Sequence, residues 1–574
     1  MSDQDTKILW HPSPERIQQS NITAFIEAAE NDWNVSIGDY DGLYEFSIES
    51  KERFWQSLID FAGVSAETWG TVVLENPDKM PGAVWFPEAK LNYAENLLRS
   101  RDDKDALVFW GEDQVKTRFS HKELHDAVSR MAQAMRAAGL VQGDRVGGYM
   151  PNMPETIIAM LAAVSIGAIW SSCSPDFGVQ GVLDRFGQIE PKIVVVCDGY
   201  FYNGKSHDSL AKATEILAQI PSVEATIVVP YTRSAPPIEA VPEGIMWDDF
   251  IKDYEATDIE FARLPFNHPL YIMYSSGTTG APKCIVHGAG GTLLKHLSEH
   301  LLHGDEKPGD RLFYFSTCGW MMWNWLVSGL ACQVTVLLYD GSPFYPDGNI
   351  LFDYAEAEGM THLGTSAKYI DAVKKAGLEP VKSHDLSKLK AMMSTGSPLV
   401  PESFDYVYEK IKPDMHLASI SGGTDIVACF VLGNPVAPVW RGEIQTRALG
   451  LAVDVFDHEG KSLREEAGDL VCTKPFPSMP IGFWDDADNA RYAAAYFEDY
   501  PNVWCHGDWV ELTSRGGMVI YGRSDATLNP GGVRIGTAEI YRQVEQFDEV
   551  IEGLCIGQMW EGDTRVVLFV VMFV

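Results

Sequence analysis

Apolar positions change their spacing along the chain, and the change divides it into regions. The first hundred residues show no clear period, although residues 21–31 and 51–61 have the spacing of amphipathic helices. From residue 105, apolar runs alternate with helical spacing. This pattern predicts strands at residues 106–110, 145–150, 168–172 and 193–197, and helices at 124–135, 155–166 and 178–188. Such alternation is typical of parallel sheets covered by helices.

The second half of the chain repeats this organisation. A second α/β stretch is predicted from about residue 290 to residue 430, and shorter, Gly-rich strands from 445 to 515 predict a small β-rich subdomain. The predicted fold class is therefore α/β, with a large N-terminal domain built from two α/β subdomains and a β-rich one.

The composition excludes several classes of partner and site. The chain has 45 Lys and Arg against 80 Asp and Glu, a net charge of −35, so we expect neither nucleic acid nor an anionic membrane as a partner. Residues 160–170 form the longest interior apolar stretch, which is too short to cross a bilayer, and no signal peptide is predicted. Nine scattered cysteines indicate reduced thiols in a cytoplasm.

The stretch from residue 274 to residue 288 has the composition of a phosphate-binding loop. It follows an apolar run, residues 269–273, that predicts a buried strand. Its polar and turn-forming residues are Ser275, Ser276, Gly277, Thr278, Thr279, Gly280 and Lys283. The glycines allow backbone N–H groups to approach an anion, the hydroxyls add donors, and Lys283 supplies a cation. A polar surface turn is the alternative, but it requires neither the preceding strand nor Pro282-Lys283.

This stretch resembles the phosphate-loop signature of the adenylate-forming superfamily, which includes acyl-CoA synthetases, luciferases and peptide-synthetase adenylation domains. The resemblance implies that the loop holds the β- and γ-phosphates of ATP while a carboxylate attacks the α-phosphate. It implies catalytic roles for Thr278 and Lys283 and nucleotide contacts for Ser275, Ser276, Gly277, Thr279 and Gly280.

Two further motifs resemble nucleotide-contacting segments of the same superfamily. Gly396, Ser397 and Pro398 match its adenine-contacting turn. The run Ser421, Gly422, Gly423, Thr424 and Asp425 matches a motif that usually ends in Thr-Glu. The resemblance implies that Thr424 contacts the α-phosphate and that Asp425 holds Mg²⁺, which prefers hard oxygen ligands. An Asp that caps a helix after a Gly-Gly turn is the structural alternative.

The C-terminal part of the chain carries the remaining matches. The resemblance implies that Asp508 accepts both ribose hydroxyls, which suits a carboxylate, and that Arg523 contacts ribose or phosphate. It also implies that Asp525 is the hinge to a small C-terminal domain. Toward coenzyme A it implies a close backbone approach at Gly532, a phosphate contact by Arg534 and a nucleotide contact by Lys205, for which a solvated surface lysine is the alternative.

Position 422 carries information about the acid. Acetyl-CoA synthetases place a pocket-closing Trp where this chain has Gly422, so the resemblance implies a pocket for a longer acid. Its other walls are predicted to be Trp320, Met321, Met322 and Thr395, although a Met/Trp cluster is more often core. Gly422→Trp is accordingly expected to shift preference toward acetate.

The resemblance is specific to the acetoacetyl-CoA synthetase branch, from Trp10-His11-Pro12 through the motif at residues 419–425. It implies a ligase whose small-molecule substrates are acetoacetate, ATP and coenzyme A, with Mg²⁺ as cofactor. The alternatives are another short-chain or branched acyl-CoA synthetase and a nucleotide-binding protein without catalysis. The sequence leaves a monomer and a homodimer equally open.

The domain boundary is expected at the hinge. Residues 1–524 are predicted to form the N-terminal domain, with residues 1–100 as an extension packed on it, and residues 525–574 to begin a truncated α+β C-terminal domain. The resemblance implies that this domain lacks the Lys that orients the carboxylate during adenylation. The last nine residues are all apolar and predict a buried strand.

Overall fold

Two large mixed sheets and a smaller antiparallel sheet form the framework of the protein. The computed structural model describes residues 7–275, 281–524, 527–533, 535–536, 540, 543–544, 547, 550–560 and 563–572. Helices cover the large sheets, so the predicted α/β class is confirmed.

Sheet A has eight strands and contains the strand that precedes the predicted phosphate loop. In spatial order, its strands are Gly244–Met246, Ala225–Val229, Ile193–Cys197, Arg145–Tyr149, Ile169–Cys173, Pro269–Ser275, Lys283–Gly288 and Gly482–Phe483. The first six run parallel, and the last two pair antiparallel.

Sheet B has seven strands and supports the motifs at residues 396–398 and 419–425. In spatial order, its strands are His416–Ser419, Ala391–Thr395, His362–Ser366, Arg311–Tyr314, Thr335–Asp340, Asp105–Gly111 and Val115–Ser120. Only the last pair is antiparallel. Asp105–Gly111 therefore belongs to the second α/β unit, whereas the alternation in sequence suggested the first.

The predicted β-rich subdomain is a four-stranded antiparallel sheet of Val453–Phe456, Ala467–Cys472, Trp504–Leu512 and Met518–Arg523. A three-stranded sheet beside it joins Ser421–Gly423, Ala428–Leu432 and Thr446–Arg447. Two-stranded pairs complete the strands: Ile8–Trp10 with Val439–Trp440, Leu74–Glu75 with Val84–Trp85, Lys90–Leu91 with Leu264–Pro265, Gly199–Tyr202 with Lys205–Asp208, Thr527–Leu528 with Ile535–Gly536, and Val550–Trp560 with Asp563–Met572.

The α-helices include the five predicted at residues 21–31, 51–61, 124–135, 155–166 and 178–188, each with small shifts at its ends. They are Pro14–Gln18, Asn21–Trp33, Tyr40–Glu49, Lys51–Ala62, Tyr93–Leu97, His121–Ala137, Pro154–Ile166, Val179–Ile189, Leu210–Leu217, Trp247–Ile251, Ala289–Ser298, Met321–Ser328, Ile350–Glu358, Ala367–Lys375, Pro380–Ser383, Pro401–Tyr406 and Ala490–Tyr496. Ser120 and Glu123 form a reciprocal capping box at the start of His121–Ala137.

The apolar strand Asp563–Met572 is not buried, contrary to the prediction. Among the described residues it pairs with Val550–Trp560 alone, and Phe569 and Val571 are both more than half exposed. A two-stranded sheet covers neither of its own faces, so an apolar run in it remains exposed unless another element packs against it.

All nine cysteines are buried. Among the described residues, no helix is both long and apolar enough to cross a membrane.

Candidate active site

A cleft at one edge of sheet B collects most of the predicted site residues. Its cavity volume is about 150 Å³. We call it the main cleft. The predicted residues that line it are Trp320, Met321, Met322, Thr395, Gly396, Ser397, Pro398, Ser421, Gly422, Gly423, Thr424, Asp508, Arg523 and Gly532.

Strand direction explains why distant segments meet here. Ala391–Thr395 and His416–Ser419 are parallel neighbours in sheet B, so their carboxyl ends lie at the same edge. The turn at residues 396–398 and the motif at 421–425 follow directly from these ends. Ligands of open α/β sheets bind at such edges.

A second cleft lies beside the main cleft and contains Lys283 and Asp425. Arg523 lines both spaces, so they adjoin at this arginine. We call the second space the side cleft. Its further walls include Tyr496, His506 and the acidic residues Asp469 and Asp499.

Asp425 is held by a residue that the sequence did not single out. Tyr496 donates its hydroxyl to Asp425 Oδ1 at 2.6 Å. The ammonium of Lys283 lies 5.5 Å from the centroid of the Tyr496 ring, within the range of a cation–π contact. Tyr496 therefore contacts both residues for which the sequence predicts phosphate and metal roles.

Asp425 supplies a carboxylate at the place where the sequence predicts Mg²⁺. No group of three or more metal-ligating side chains occurs within the described part of the chain. This arrangement fits Mg²⁺, which is commonly held by one or two carboxylates together with substrate phosphates and water.

Asp508 and Arg523 form an ion pair across two adjacent strands. They face each other in the antiparallel register of Trp504–Leu512 and Met518–Arg523, and Arg523 Nη1 lies 2.9 Å from Asp508 Oδ1. Asp508 is 5% exposed, with its remaining surface on the main cleft. The ion pair fixes the orientation of the carboxylate predicted to receive ribose.

The segment around Gly532 closes over the turn at residue 396. Asn529 donates its side-chain amide to the Gly396 carbonyl at 3.2 Å. A Cβ at Gly532 would lie 2.8 Å from the Gly396 backbone, and both glycines have positive φ angles. Because neither Gly396 nor Gly532 has a side chain, the two backbone segments can make direct contact.

An ion pair links the hairpin of Val550–Trp560 and Asp563–Met572, which we call the C-terminal hairpin, to the helix Ala367–Lys375. Lys368, at the start of the helix Ala367–Lys375, lies 2.5 Å from Asp563 Oδ2. The same carboxylate accepts a hydrogen bond from the Gly531 N–H at 3.1 Å. Asp563 thus connects the hairpin, the segment around Gly532 and the large domain.

Some predicted residues lie apart from these clefts. Lys205 is exposed on the hairpin of Gly199–Tyr202 and Lys205–Asp208 and lines neither cleft. Ser275 is buried opposite Lys283 in sheet A. The predicted residues Ser276, Gly277, Thr278, Thr279, Gly280, Asp525 and Arg534 lie outside the described residues.

The surroundings of Gly422 change the expectation for its replacement. A Cβ at this position would lie 2.0 Å from the Ala428 carbonyl oxygen and 2.5 Å from Cys429 Cα. A Trp cannot enter the pocket without displacing the paired strand Ala428–Leu432. The sequence suggested that Gly422→Trp simply closes the acyl pocket. The structure indicates that the substitution instead disturbs the strand pair.

We expect Gly422→Ala to lower the free energy of unfolding by about 1–3 kcal/mol, because the added methyl group overpacks a strand pair. Activity should fall with every acid tested. Thermal unfolding measures the first effect and AMP release the second. Ser421→Ala, on the same strand, is the matched control and should leave stability nearly unchanged. A stable Gly422→Ala protein with acetate preference would contradict this account.

Comparisons with known proteins agree with the geometry. Residues 94–481 match the family described as AMP-binding enzyme, and residues 40–97 match the acetyl-coenzyme A synthetase N-terminus. The chain is 60% identical to acetoacetyl-coenzyme A synthetase from Rhizobium meliloti, over 98% of this chain and 86% of that protein. Identity to the acetoacetyl-CoA synthetase of Xenopus tropicalis is 45%, over 99% of this chain and 86% of the relative.

A solved structure shows the same fold. The acetoacetyl-CoA synthetase from Streptomyces lividans superposes with a TM-score of 0.87 at 42% identity, and the match covers 99% of this chain and 87% of that one.

Proposed function

The chain belongs to the AMP-binding enzyme family and, within it, to the acetoacetyl-CoA synthetases; from this premise we propose that it joins acetoacetate to coenzyme A. It is an AMP-forming acid–thiol ligase. In the proposed reaction, the acetoacetate carboxylate attacks the α-phosphorus of ATP and pyrophosphate leaves. The coenzyme A thiolate then attacks the acyl carbon of the adenylate and AMP leaves.

The main cleft carries this proposal, because it joins the turn, the carboxylate and the apolar walls that the reaction needs. We assign adenine to the turn Gly396-Ser397-Pro398, ribose to Asp508 and Arg523, and the α-phosphate to Thr424. Positioning of this kind reduces the entropic cost of bringing the carboxylate to phosphorus. The loop at residues 275–280 is assigned to the β- and γ-phosphates.

The side cleft supports the handling of phosphate charge. We assign Lys283 to the phosphates of ATP and Asp425 to Mg²⁺. A magnesium ion held there supplies positive charge for the phosphate oxygens as negative charge builds on them. The net charge of −35 makes these local cations necessary, because all three substrates are anions.

The acid is assigned to the corner of the main cleft between Trp320, Met321 and Gly422. The apolar side chains of this corner suit the carbon chain of a short acid. We assign the coenzyme A pantetheine to the backbone at Gly532 and its phosphates to Arg534 and Lys205. We propose Asp525 as the hinge of the domain after residue 524, and the cytoplasm as the site of the reaction.

A panel of acids tests this function, with released AMP as the measured product. We expect kcat/KM for acetoacetate to exceed that for acetate by about tenfold or more, since one methylene-sized difference in a fitted pocket changes discrimination by about 1–3 kcal/mol. Propionate and butyrate complete the panel. Asp425→Asn controls for contaminating activity. Equal kcat/KM for acetate and acetoacetate would overturn the assignment of the acid.

A further inference from the structure

Tyr496 connects two charged residues that lie far apart in the sequence. Its hydroxyl donates to Asp425 Oδ1 at 2.6 Å, and its ring lies 5.5 Å from the Lys283 ammonium. A hydrogen bond to a carboxylate is roughly twice as strong as one between neutral groups. The phenol therefore restricts the orientations that the Asp425 carboxylate can adopt.

The Tyr496 ring is itself held rigidly. It is 3% exposed and stacks on Trp504, with ring centroids 3.9 Å apart and an interplanar angle of 14°. Phe483 packs edge-on against it at 5.9 Å. Since Phe483 pairs with Ile285 in the strand that begins at Lys283, the same packing couples the ring to the lysine's own strand.

Local hydrogen bonds fix the helix that carries this ring. Asp486 accepts from the backbone N–H of Tyr492 at 2.9 Å and from that of Arg491 at 3.2 Å, which anchors the helix Ala490–Tyr496 near its start. The position of the Tyr496 hydroxyl is thus set by the packing of the protein and does not depend on a bound ligand.

We propose that Tyr496 is a positioning residue for the first half-reaction, acting through Asp425 on the binding of Mg²⁺ with ATP. This inference rests on the proposed function. Aspartate is one methylene shorter than the glutamate usual at this position of the superfamily motif. The bond from Tyr496 fixes one oxygen of the Asp425 carboxylate. The ring also contacts the Lys283 ammonium, which lies 5.5 Å from its centroid.

Tyr496→Phe tests the hydroxyl alone, because the ring, its stack on Trp504 and its contact with Lys283 remain. The affinity of the full chain for ATP is measured by calorimetry, once with excess Mg²⁺ and once with EDTA. We expect the Mg²⁺-dependent gain in affinity to fall on the order of tenfold. Affinity in EDTA should change less than twofold, and the melting temperature should stay close to that of the parent.

Tyr492→Phe is the matched control. Tyr492 belongs to the same helix and packs on the same aromatic group, at 5.5 Å from Tyr496 and 6.4 Å from Trp504. Its hydroxyl is not bonded to Asp425 among the described contacts. This variant should show the same Mg²⁺-dependent gain in ATP affinity as the parent.

A double-mutant cycle separates positioning from a general structural effect. In an Asp425→Asn background, Tyr496→Phe should have little further effect, because the carboxylate that it orients is gone. If Tyr496→Phe kept the parent's gain from Mg²⁺, or if its effect were unchanged in the Asp425→Asn background, the inference would be overturned. Failure of the parent chain to bind ATP under either condition would instead overturn the proposed function.

Discussion

Asp508→Ala should weaken the binding of AMP and of ATP by the same factor, about a hundredfold. Both nucleotides carry the ribose whose two hydroxyls we assign to this carboxylate, and hydrogen bonds to a charged group contribute about 1.5–3 kcal/mol each. The change also removes a 2.9 Å ion pair from Arg523, which lines both clefts. Equilibrium binding of AMP and of ATP to the full chain measures the effect.

Lys283→Ala is the contrasting variant. It should weaken ATP binding much more than AMP binding, because the assigned partners of Lys283 are the phosphates that AMP lacks. Asp508→Asn keeps the size of the side chain and separates loss of charge from loss of packing, while thermal unfolding checks that each variant folds. Unchanged AMP affinity in Asp508→Ala would show that the ribose assignment is wrong.

The melting temperature should fall steeply as the pH is lowered from 6.5 to 4.5. Burial lowers the pKa of His287, His296 and His303 to about 4 and that of His416 to about 3. In the unfolded chain these rings take up protons below a pH of about 6.5, whereas in the folded protein they do so only near pH 4. Stability from these four groups is therefore present above pH 6.5 and is lost as the pH falls toward 4.

Two buried carboxyl groups act in the opposite direction. Burial raises the pKa of Glu155 and of Asp340 to about 7, so the folded protein retains two protons that the unfolded chain releases above pH 4.5. Four protons gained by the unfolded chain against two held by the folded one leave a net difference of two. The contribution of these six groups to the free energy of unfolding should then fall by about 3 kcal/mol per pH unit.

Glutamine variants identify the groups responsible. His303 contacts the Gly433 carbonyl through Nδ1 at 2.8 Å and accepts from the Leu449 N–H at 3.2 Å, and an amide can replace both bonds. His303→Gln should reduce the number of protons taken up on unfolding by about one, so the free energy of unfolding should fall less steeply as the pH is lowered. His458→Gln is the control, because solvent reaches that ring in the folded state as well. Identical pH profiles for the parent and His303→Gln would refute the assignment.

Local patterns in the sequence predicted most elements of the fold. The apolar run at residues 193–197 depends on neighbours along the chain, so its structure follows from local spacing. Pairing partners were harder to predict. Asp105–Gly111 joins Thr335–Asp340 across more than two hundred residues, and nothing in the spacing of either strand indicates its partner.

In the candidate site too, features set by local sequence were predicted and features set by distant contacts were missed. Residues in recognisable motifs, such as Ser397 and Thr424, were predicted and line the main cleft. Tyr496 was missed because its role depends on a contact with Asp425, 71 positions away, and a Tyr in an aromatic helix has no distinguishing local signal. The crowding at Gly422 was missed because it depends on the register with Cys429.

The nine buried thiols allow local opening of the protein to be measured by chemical labelling. A thiol reagent in solution reacts with a buried cysteine only after the surrounding structure separates, so each labelling rate measures the free energy of one opening event. Cys555 lies in the C-terminal hairpin, Cys284 in sheet A, Cys332 beside sheet B and Cys472 in the antiparallel sheet. Mass spectrometry of partly labelled protein would therefore resolve the order in which these regions separate, without any engineered probe.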